Sequence, residues 1–288
     1  MKTVAIIGVG LMGGSLGIAL RHISKNGQRQ YDVIGIGRNI KKLKLAKDKN
    51  AVDSYSTNIE VVKCADIVFI CSPVDMIVDF YKEVSKYADK KTIICDIGSI
   101  KFNVDNKIKQ IQQKNKDCPA FVGCHPMCGI EQNGIEYASL DIYNNANVVI
   151  TSNPKDKNTK IISKLWKDIG CKVLFMSAKE HDETVAFTSH LPHIIAFSFY
   201  KMFREKEGKN KNIDNLVAGS FRSLTRVAKS SPQMWIPIFL NNKNNLKILS
   251  KELCKQIKCF VDTFGDEKKL KQILDKSIRN ENKQSIKP

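Results

Sequence analysis

Residues 4–13 read Val-Ala-Ile-Ile-Gly-Val-Gly-Leu-Met-Gly, an apolar run that leads directly into the spacing G-x-G-x-x-G. The apolar run predicts a buried strand, and a helical pattern follows it. In this context the first glycine permits a tight turn, the second lets the backbone approach a pyrophosphate, and the third lets helix and strand pack closely. Free N–H groups at the helix start attract phosphate. The stretch therefore predicts a dinucleotide-binding fold with cofactor contacts at Gly8, Gly10, Leu11, Met12 and Gly13.

Short apolar runs and amphipathic stretches alternate around this motif through the first 176 residues. Alternation of this kind indicates a parallel sheet covered by helices on both faces, and from residue 177 only helical patterns remain. We therefore predict a Rossmann-like α/β domain at 1–176 and an all-α domain at 177–288, with a disordered tail at 279–288. The predicted strands are 3–8, 32–37, 67–71, 92–96, 120–124, 147–151 and 171–176. The predicted helices include 11–23, 40–49, 158–169, 180–204, 213–229, 235–264 and 266–277, with a polar loop at 206–212.

The end of the second predicted strand bears on the choice of cofactor. An enzyme that uses NAD usually has an acidic residue there for the ribose 2′-hydroxyl, but this chain has Arg38, followed by Lys41 and Lys42. A guanidinium suits a 2′-phosphate, so we favour NADP over NAD, although Arg38 could instead stack on the adenine of either cofactor. We also assign Ser72, Pro73 and Gly98 to the cofactor site.

The composition argues against several other classes of protein. The formal charge is +18, but only seven of the 47 basic residues are arginines, and no platform of aromatic and arginine residues accompanies them. Nucleic-acid binding is therefore not expected, and the surplus charge helps to attract an anionic substrate. No apolar run of about 18 residues and no secretory leader is present, so we expect no membrane span and a cytoplasmic location. The nine cysteines fit reduced thiols, and Cys124, His125 and Cys128 lack a second ligand pair for a metal.

Five further motifs follow the glycine motif in order. They are Asp96-Ile-Gly-Ser99, Gly123-Cys-His-Pro-Met127, Gly129-Ile-Glu131, Ser189-His-Leu-Pro-His193, and Thr225-Arg-Val-Ala228 followed by Pro232 and Trp235. Together, over about residues 1–265, they resemble the prephenate dehydrogenase family, including its arogenate-using relatives. The resemblance implies oxidative decarboxylation of prephenate to 4-hydroxyphenylpyruvate with hydride transfer to a nicotinamide cofactor, on the route to tyrosine. It also implies a homodimer formed through the helical domain, in a monofunctional form without the family's regulatory or mutase domain.

Two residues are expected to carry the chemistry. His125 is predicted to lie just beyond a strand end, where a neutral imidazole can accept a hydrogen bond from the substrate hydroxyl, the role that the resemblance implies. Ser99 can bond both that hydroxyl and His125, and it can also be the N-cap of a helix that starts at Ile100. A structural histidine is the alternative for His125.

The expected substrate contacts lie mainly in the second half of the chain. Arg226 interrupts an apolar helical pattern, where its charge needs a partner, and by resemblance it binds the pyruvyl carboxylate; a structural ion pair is the alternative. His190 and His193 share a helix face that Pro192 is expected to kink. The family often has an acidic residue where this chain has Ser223, which leaves a charge network at the cleft weaker or differently built. The remaining expected contacts are Glu131, Ser189, Gly219 and Trp235, of which Trp235 could equally be a core aromatic residue.

Other activities are less consistent with these motifs. A dehydrogenase of β-hydroxyacids would depend on a lysine in its helical domain, and a non-catalytic NADP sensor would be expected to have lost His125 or Arg226. An arogenate dehydrogenase, which forms tyrosine directly, shares all the motifs. We favour prephenate, because an imidazole N–H of His193 can donate to the keto oxygen that arogenate lacks.

Overall fold

The N-terminal apolar runs form a six-stranded parallel sheet in the computed structural model, which describes residues 1–130, 132–208 and 212–278. Five of the strands correspond to predicted ones, and the short edge strand Ser54–Ser56 was not predicted. The strands are β1 (Lys2–Ile7), β4 (Tyr31–Ile36), β5 (Ser54–Ser56), β6 (Ile67–Ile70), β7 (Ile93–Asp96) and β8 (Ala120–Val122), in the order β5-β4-β1-β6-β7-β8. A small hairpin of β2 (Ser24–Lys25) and β3 (Gln28–Arg29) lies between α1 and β4 along the chain.

Helices cover both faces of this sheet, as the alternating pattern predicts. They are α1 (Leu11–His22), α2 (Ile40–Asp48), α3 (Ile77–Val84), α4 (Phe102–Lys114) and α5 (Lys157–Asp168). The side chains of β1 alternate between two apolar clusters, with Val4 and Ile6 in one and Ala5 and Ile7 in the other. Both clusters are buried, and this explains why the central strands are apolar throughout rather than alternating.

The predicted strand at 120–124 is wrong at its end. After β8 the chain passes Gly123 and enters a new strand, β9 (Cys124–Met127), in a separate sheet with β10 (Asn147–Ile150) and β11 (Lys172–Phe175). β9 pairs antiparallel with β10, so this second sheet is mixed. A Cβ at Gly123 would lie 2.6 Å from the Thr151 hydroxyl oxygen, so the close approach at this junction requires glycine.

The C-terminal half is helical, as predicted, but its helices are shorter than their patterns. They are α6 (Ala178–Val185), α7 (Leu191–Glu207), α8 (Gly219–Thr225), α9 (Pro232–Asn241), α10 (Lys243–Val261) and α11 (Glu267–Ser277). The predicted helix at 180–204 is interrupted by a π-helical turn, Ala186–His190, directly before Pro192. Proline has no N–H to continue the ladder, and the turn that precedes Pro192 is wound as a π-helix, with helical φ and ψ on both sides of it.

Two other predicted helices also divide. The stretch 213–229 forms two 3₁₀ turns, Asp214–Leu216 and Arg226–Lys229, on either side of α8. The stretch 235–264 breaks at Asn242, whose buried side chain bonds to the α6 backbone. Part of the predicted loop at 206–212 and the predicted tail at 279–288 lie outside the described residues. Within those residues, no helix combines the length and apolar character needed to cross a bilayer.

Candidate active site

The glycine turn after β1 has the geometry that a dinucleotide site needs. Gly8 has a φ of 93°, and a Cβ there would lie 2.6 Å from the Cys71 carbonyl oxygen. A Cβ at Gly13 would lie 2.2 Å from the Gly8 carbonyl oxygen, whereas a Cβ at Gly10 has no neighbour within 4 Å. Two glycines are therefore required for packing, and the third leaves open backbone at the start of α1, as close approach of a pyrophosphate requires.

The other residues assigned to the cofactor lie at the same edge of the sheet. Gly8, Arg38, Ser72 and Gly98 each follow the carboxyl end of a parallel strand, and such ends meet at one edge. Arg38 is exposed and makes no hydrogen bond or ion pair with any described residue. Gly98 is buried, and its N–H donates to the Asp96 carboxylate at 2.9 Å. The residues at this edge fit a dinucleotide.

The sequence analysis predicts His125 just beyond a strand end. The structure places it three residues after the last residue of β8, and inside the next strand, β9. It is 9% exposed, and its Nδ1 lies 2.7 Å from Nε2 of His181 on α6. His181 Nδ1 in turn lies 2.7 Å from the Asp182 carboxylate. The imidazole is therefore held from its rear by a second histidine, contributed by the helical half of the chain.

The surroundings of His125 keep its ring neutral. Burial lowers the pKa of His125 well below 6.5, and positive charge on His181, Lys101 and His190 would act in the same direction. Burial likewise lowers the pKa of His190 to about 4, although Asp182 opposes that change. A neutral His125 can accept a hydrogen bond, which is the property a general base needs.

Two expectations for Ser99 are wrong. Ser99 makes no hydrogen bond to His125 among the described residues, since His181 occupies the Nδ1 side. Nor is it the N-cap of α4, which starts at Phe102. The Asp182 carboxylate takes that place by accepting from the backbone N–H groups of Lys101 and Phe102, at 2.9 and 3.0 Å. A charged carboxylate from another element satisfies the helix start better than a local hydroxyl does.

A buried ion pair below the site was not expected from the sequence. Lys101 and Asp96 pair with both side chains fully buried, and Lys101 Nζ also donates to the Cys124 carbonyl at 2.8 Å. The other Asp96 oxygen accepts from the Cys124 N–H at 3.2 Å. These contacts tie β9, and so His125, to the end of β7. The sequence carries one signal for this ion pair: Asp96 and Lys101, of opposite charge, stand on either side of Ser99.

The two histidines of the SHLPH motif lie against Trp235, as their shared helix face predicts. The His193 ring stacks on Trp235 with centroids 3.7 Å apart, and His190 meets the same indole edge-on at 5.8 Å. Trp235 is also buried in the core beneath α9, so both interpretations of this residue apply. The amide nitrogen of Asn242 lies 3.2 Å from His190 Nδ1. Because an amide N–H can only donate, His190 accepts at Nδ1, and the neutral ring carries its hydrogen on Nε2.

The hydrogen bond of His193 changes our interpretation of that residue. Its Nδ1 lies 2.9 Å from the Ser189 carbonyl oxygen, which can only accept. The Nδ1–H of His193 is therefore donated to that carbonyl oxygen and is not available to a keto oxygen. The sequence could not show this, because the bond depends on the local turn of the helix.

The remaining predicted substrate residues lie on the outer side of the helical half. Arg226 is exposed and starts a 3₁₀ turn after α8, so the predicted helix 213–229 does not run through this residue. Gly219 and Ser223 are also exposed, on α8, and Glu131 lies outside the described residues. No cluster of three metal-ligating side chains occurs within the described ranges.

The comparisons with known proteins agree with this geometry. Residues 19–175 match the family model described as prephenate dehydrogenase, nucleotide-binding domain, and residues 177–282 match prephenate dehydrogenase, dimerization domain. A cyclohexadienyl dehydrogenase from Zymomonas mobilis is 34% identical over 84% of this chain and 81% of its own length. A prephenate dehydrogenase from Lactococcus lactis is 26% identical over 96% of this chain and 78% of its own length.

A solved structure gives the same result. The prephenate dehydrogenase of Aquifex aeolicus, in complex with hydroxyphenyl propionate and NAD+, superposes with a TM-score of 0.86 at 30% identity over 96% of each chain. Both halves of the chain and the fold therefore agree, and the chain belongs to the prephenate dehydrogenase family of nicotinamide-dependent oxidoreductases.

Proposed function

We propose that this chain oxidatively decarboxylates prephenate to 4-hydroxyphenylpyruvate, with release of CO2 and reduction of one nicotinamide cofactor. The observation that carries the proposal is the buried, neutral His125, whose Nδ1 is bonded to His181. Its Nε2 makes no hydrogen bond to a described residue and is left for the substrate. When bound, the oxidised nicotinamide supplies the hydride acceptor.

The residues of the chain divide the remaining work. His125 Nε2 accepts the hydrogen bond of the ring hydroxyl and takes its proton as the carbon–oxygen bond becomes a carbonyl. Loss of the ring carboxylate as CO2 then leaves an aromatic ring with a phenolate oxygen, which takes the proton back from His125 to give the phenol. Formation of the aromatic ring provides the driving force. Arg226 is the proposed partner of the pyruvyl carboxylate, since a guanidinium binds a carboxylate at two points. Ser99, half-buried after β7, is proposed to bond the ring hydroxyl.

We propose NADP as the preferred cofactor. Arg38 follows β4, where the ribose end of a dinucleotide lies in folds of this class, and no described residue neutralises it. Lys41 and Lys42 are exposed nearby and add positive charge. A 2′-phosphate would be attracted by all three cations, whereas the 2′-hydroxyl of NAD would gain little from them.

We propose a homodimer assembled through the helical half. Large apolar side chains remain exposed there, among them Leu240 at 64%, Ile248 at 66% and Phe264 at 63%. Apolar surface of this kind is buried in stable assemblies, and the same half matches a model described as a dimerization domain. Light scattering on the purified protein should give twice the mass of one chain.

Arogenate is a second candidate substrate. Prephenate and arogenate differ in one group, a keto oxygen against an ammonium. The Nδ1–H of His193 is donated to the Ser189 carbonyl oxygen and is not available to a keto oxygen, so the contact expected to favour prephenate at this residue is not made through Nδ1. His190, with Nε2 protonated, offers the donor that a keto oxygen needs.

Initial rates with prephenate and arogenate, each with NAD and NADP, test the proposal. We expect turnover of prephenate, with the higher kcat/KM for NADP. A higher kcat/KM for arogenate would make the second candidate the main activity. Absence of cofactor reduction with both substrates would exclude the proposed function. His193→Gln, which retains a polar side chain, should change the ratio of the two substrates if this residue discriminates between them.

A further inference from the structure

Behind His125, three buried side chains form a continuous line of hydrogen bonds. His125 Nδ1 meets His181 Nε2 at 2.7 Å, and His181 Nδ1 meets Asp182 Oδ1 at 2.7 Å. Their exposed fractions are 9%, 0% and 4%, so water does not compete with these bonds. We call these residues the Asp182–His181–His125 chain. Two of its members come from helix α6, in the other half of the molecule from β9.

The carboxylate determines which nitrogen in each ring carries hydrogen. A carboxylate can only accept, so His181 Nδ1 is the donor to Asp182. When His181 carries only that hydrogen, its Nε2 keeps a lone pair and His125 Nδ1 donates to it. His125 is thereby held as the Nδ1–H tautomer, with a lone pair at Nε2. This is the form that can accept the substrate's hydrogen bond.

Asp182 is itself held in one orientation. Oδ1 accepts from the backbone N–H of Lys101 at 2.9 Å, and Oδ2 accepts from that of Phe102 at 3.0 Å. These are the first free N–H groups of α4, whose positive dipole end stabilises the charged carboxylate. The backbone carbonyl of Asp182 also accepts from the Asn242 amide at 2.8 Å. The Asp182–His181–His125 chain is therefore anchored to the N-terminal half at the start of α4 and to the junction of α9 and α10 at Asn242.

We infer that His181 and Asp182 are positioning residues, which hold His125 in its hydrogen-bond-accepting tautomer and orient it across the junction of the two halves. The inference rests on the proposed role of His125. It assigns function to two residues that no motif of the sequence identified, and it explains why α6 packs against the start of α4.

The tautomer can be measured without substrate or cofactor. The chain has five histidines, so ¹⁵N-histidine labelling and long-range ¹H–¹⁵N spectra give a small set of ring signals, with His125 assigned from His125→Asn. We expect His125 as the Nδ1–H tautomer in the wild-type protein. A predominant Nε2–H tautomer would overturn the inference, whatever the substrate of the enzyme proves to be.

Kinetics separate a positioning role from a structural one. In Asp182→Asn either orientation of the amide places its NH2 group against an N–H donor, so the His125 tautomer is no longer enforced. We expect kcat to fall by ~10²-fold, within the ~10²–10⁴-fold that a general base supplies, while the KM values for substrate and cofactor change little. Glu183→Gln, an exposed change on the same helix, is the matched control and should behave as wild type.

A pair of substitutions at His181 guards against misfolding of the Asp182 variant. His181→Gln retains an oxygen that can accept from His125 Nδ1 and should retain most of kcat. His181→Met fills similar space without an acceptor and should lose ~10²-fold. Equal kcat in the two variants, with thermal stabilities that differ, would overturn the positioning role.

The acid limb of kcat provides an independent readout. The titratable groups that face His125 are His181 on α6, Lys101 before α4 and His190 in the π-helical turn, and Asp182 supplies the carboxylate behind His181. Removal of that negative charge disfavours protonation of the imidazoles. In Asp182→Asn the loss of kcat at acid pH should therefore occur at a lower pH than in the wild-type enzyme. An unchanged acid limb of the kcat profile would count against the proposed role of the Asp182–His181–His125 chain.

Discussion

The two sides of the site are built in different ways. On the cofactor side, one continuous turn of the backbone supplies the geometry, and three glycines within six residues decide it. On the substrate side, side chains from β9, α6, the π-helical turn and α9 come together from distant parts of the chain. The first side is encoded locally, and the second depends on how elements pack.

This difference determines what a substitution should do on each side. A site built from the backbone tolerates a substitution that keeps φ, ψ and the space around the residue unchanged. It loses its geometry when a new Cβ collides with neighbouring backbone atoms. A side-chain site depends on hydrogen-bond partners, so a change of one atom type can abolish function without disturbing the fold. Five predictions test the distinction, starting with the largest expected effect.

His125 should be the most sensitive residue of the side-chain region. In His125→Asn we expect kcat to fall by ~10²–10⁴-fold, because the acceptor for the hydroxyl proton is lost, while cofactor affinity is unchanged. Steady-state kinetics and a cofactor titration measure the two effects. His22→Asn, at the exposed end of α1, is the control. Unimpaired turnover in His125→Asn would remove this residue from the mechanism.

The pH dependence of the wild-type enzyme tests the same residue. The pKa of His125 is lowered well below 6.5, so the neutral, accepting ring persists as the pH falls past that value. Activity should therefore be lost only at the lower pH where His125 finally gains a proton. A loss of kcat centred at 6.5 would indicate an unperturbed histidine and would contradict the role of burial.

Arg226 should show the next largest effect, and mainly in substrate binding. Arg226→Ala should raise the KM for prephenate, because a charged two-point contact worth about 2–4 kcal/mol is lost from ground state and transition state alike. Arg222→Ala, four residues earlier on α8 and also exposed, is a control for loss of charge. A wild-type KM with a lowered melting temperature would identify Arg226 as a structural residue.

The glycine turn offers a matched pair of substitutions. Gly8→Ala should destabilise the fold by about 1–3 kcal/mol, since its φ is 93° and the new Cβ would lie 2.6 Å from a backbone carbonyl. Gly10→Ala has no neighbour within 4 Å and should fold normally but bind the cofactor more weakly. Urea unfolding and cofactor titration separate the two outcomes. Equal stability of the two variants would contradict the backbone argument.

Arg38 should give the smallest effect, because it is exposed to water. Arg38→Ala should weaken NADP binding by about 1.5 kcal/mol and leave NAD binding nearly unchanged. Adding Gly37→Asp should move the preference to NAD, since a carboxylate repels the 2′-phosphate and bonds the 2′-hydroxyl. Equal kcat/KM of the wild-type enzyme with both cofactors would leave Arg38 as a general contact to the adenine end.

The errors of sequence interpretation lie on the packing side of the comparison. Ser99 has the right residue type for a helix N-cap, but Asp182 replaces it because a long-range carboxylate reaches the same N–H groups. Arg226 was expected within a helix, but α8 ends before it and a 3₁₀ turn begins there. His181 was missed because a histidine within a helix carries no local signal of what it faces.

The sequence by itself determined the α/β architecture of the first half, the glycine turn and the helical character of the second half. These properties follow from interactions between residues close in the chain: apolar periodicity, glycine conformation and the alternation of strands with helices. Only the tertiary structure decided that the chain enters a second sheet at Gly123, that His125 is paired with His181, and that Asp182 spans the two halves. The partners in these contacts are up to 81 residues apart, and hydrogen bonds over such separations depend on packing that no local pattern encodes.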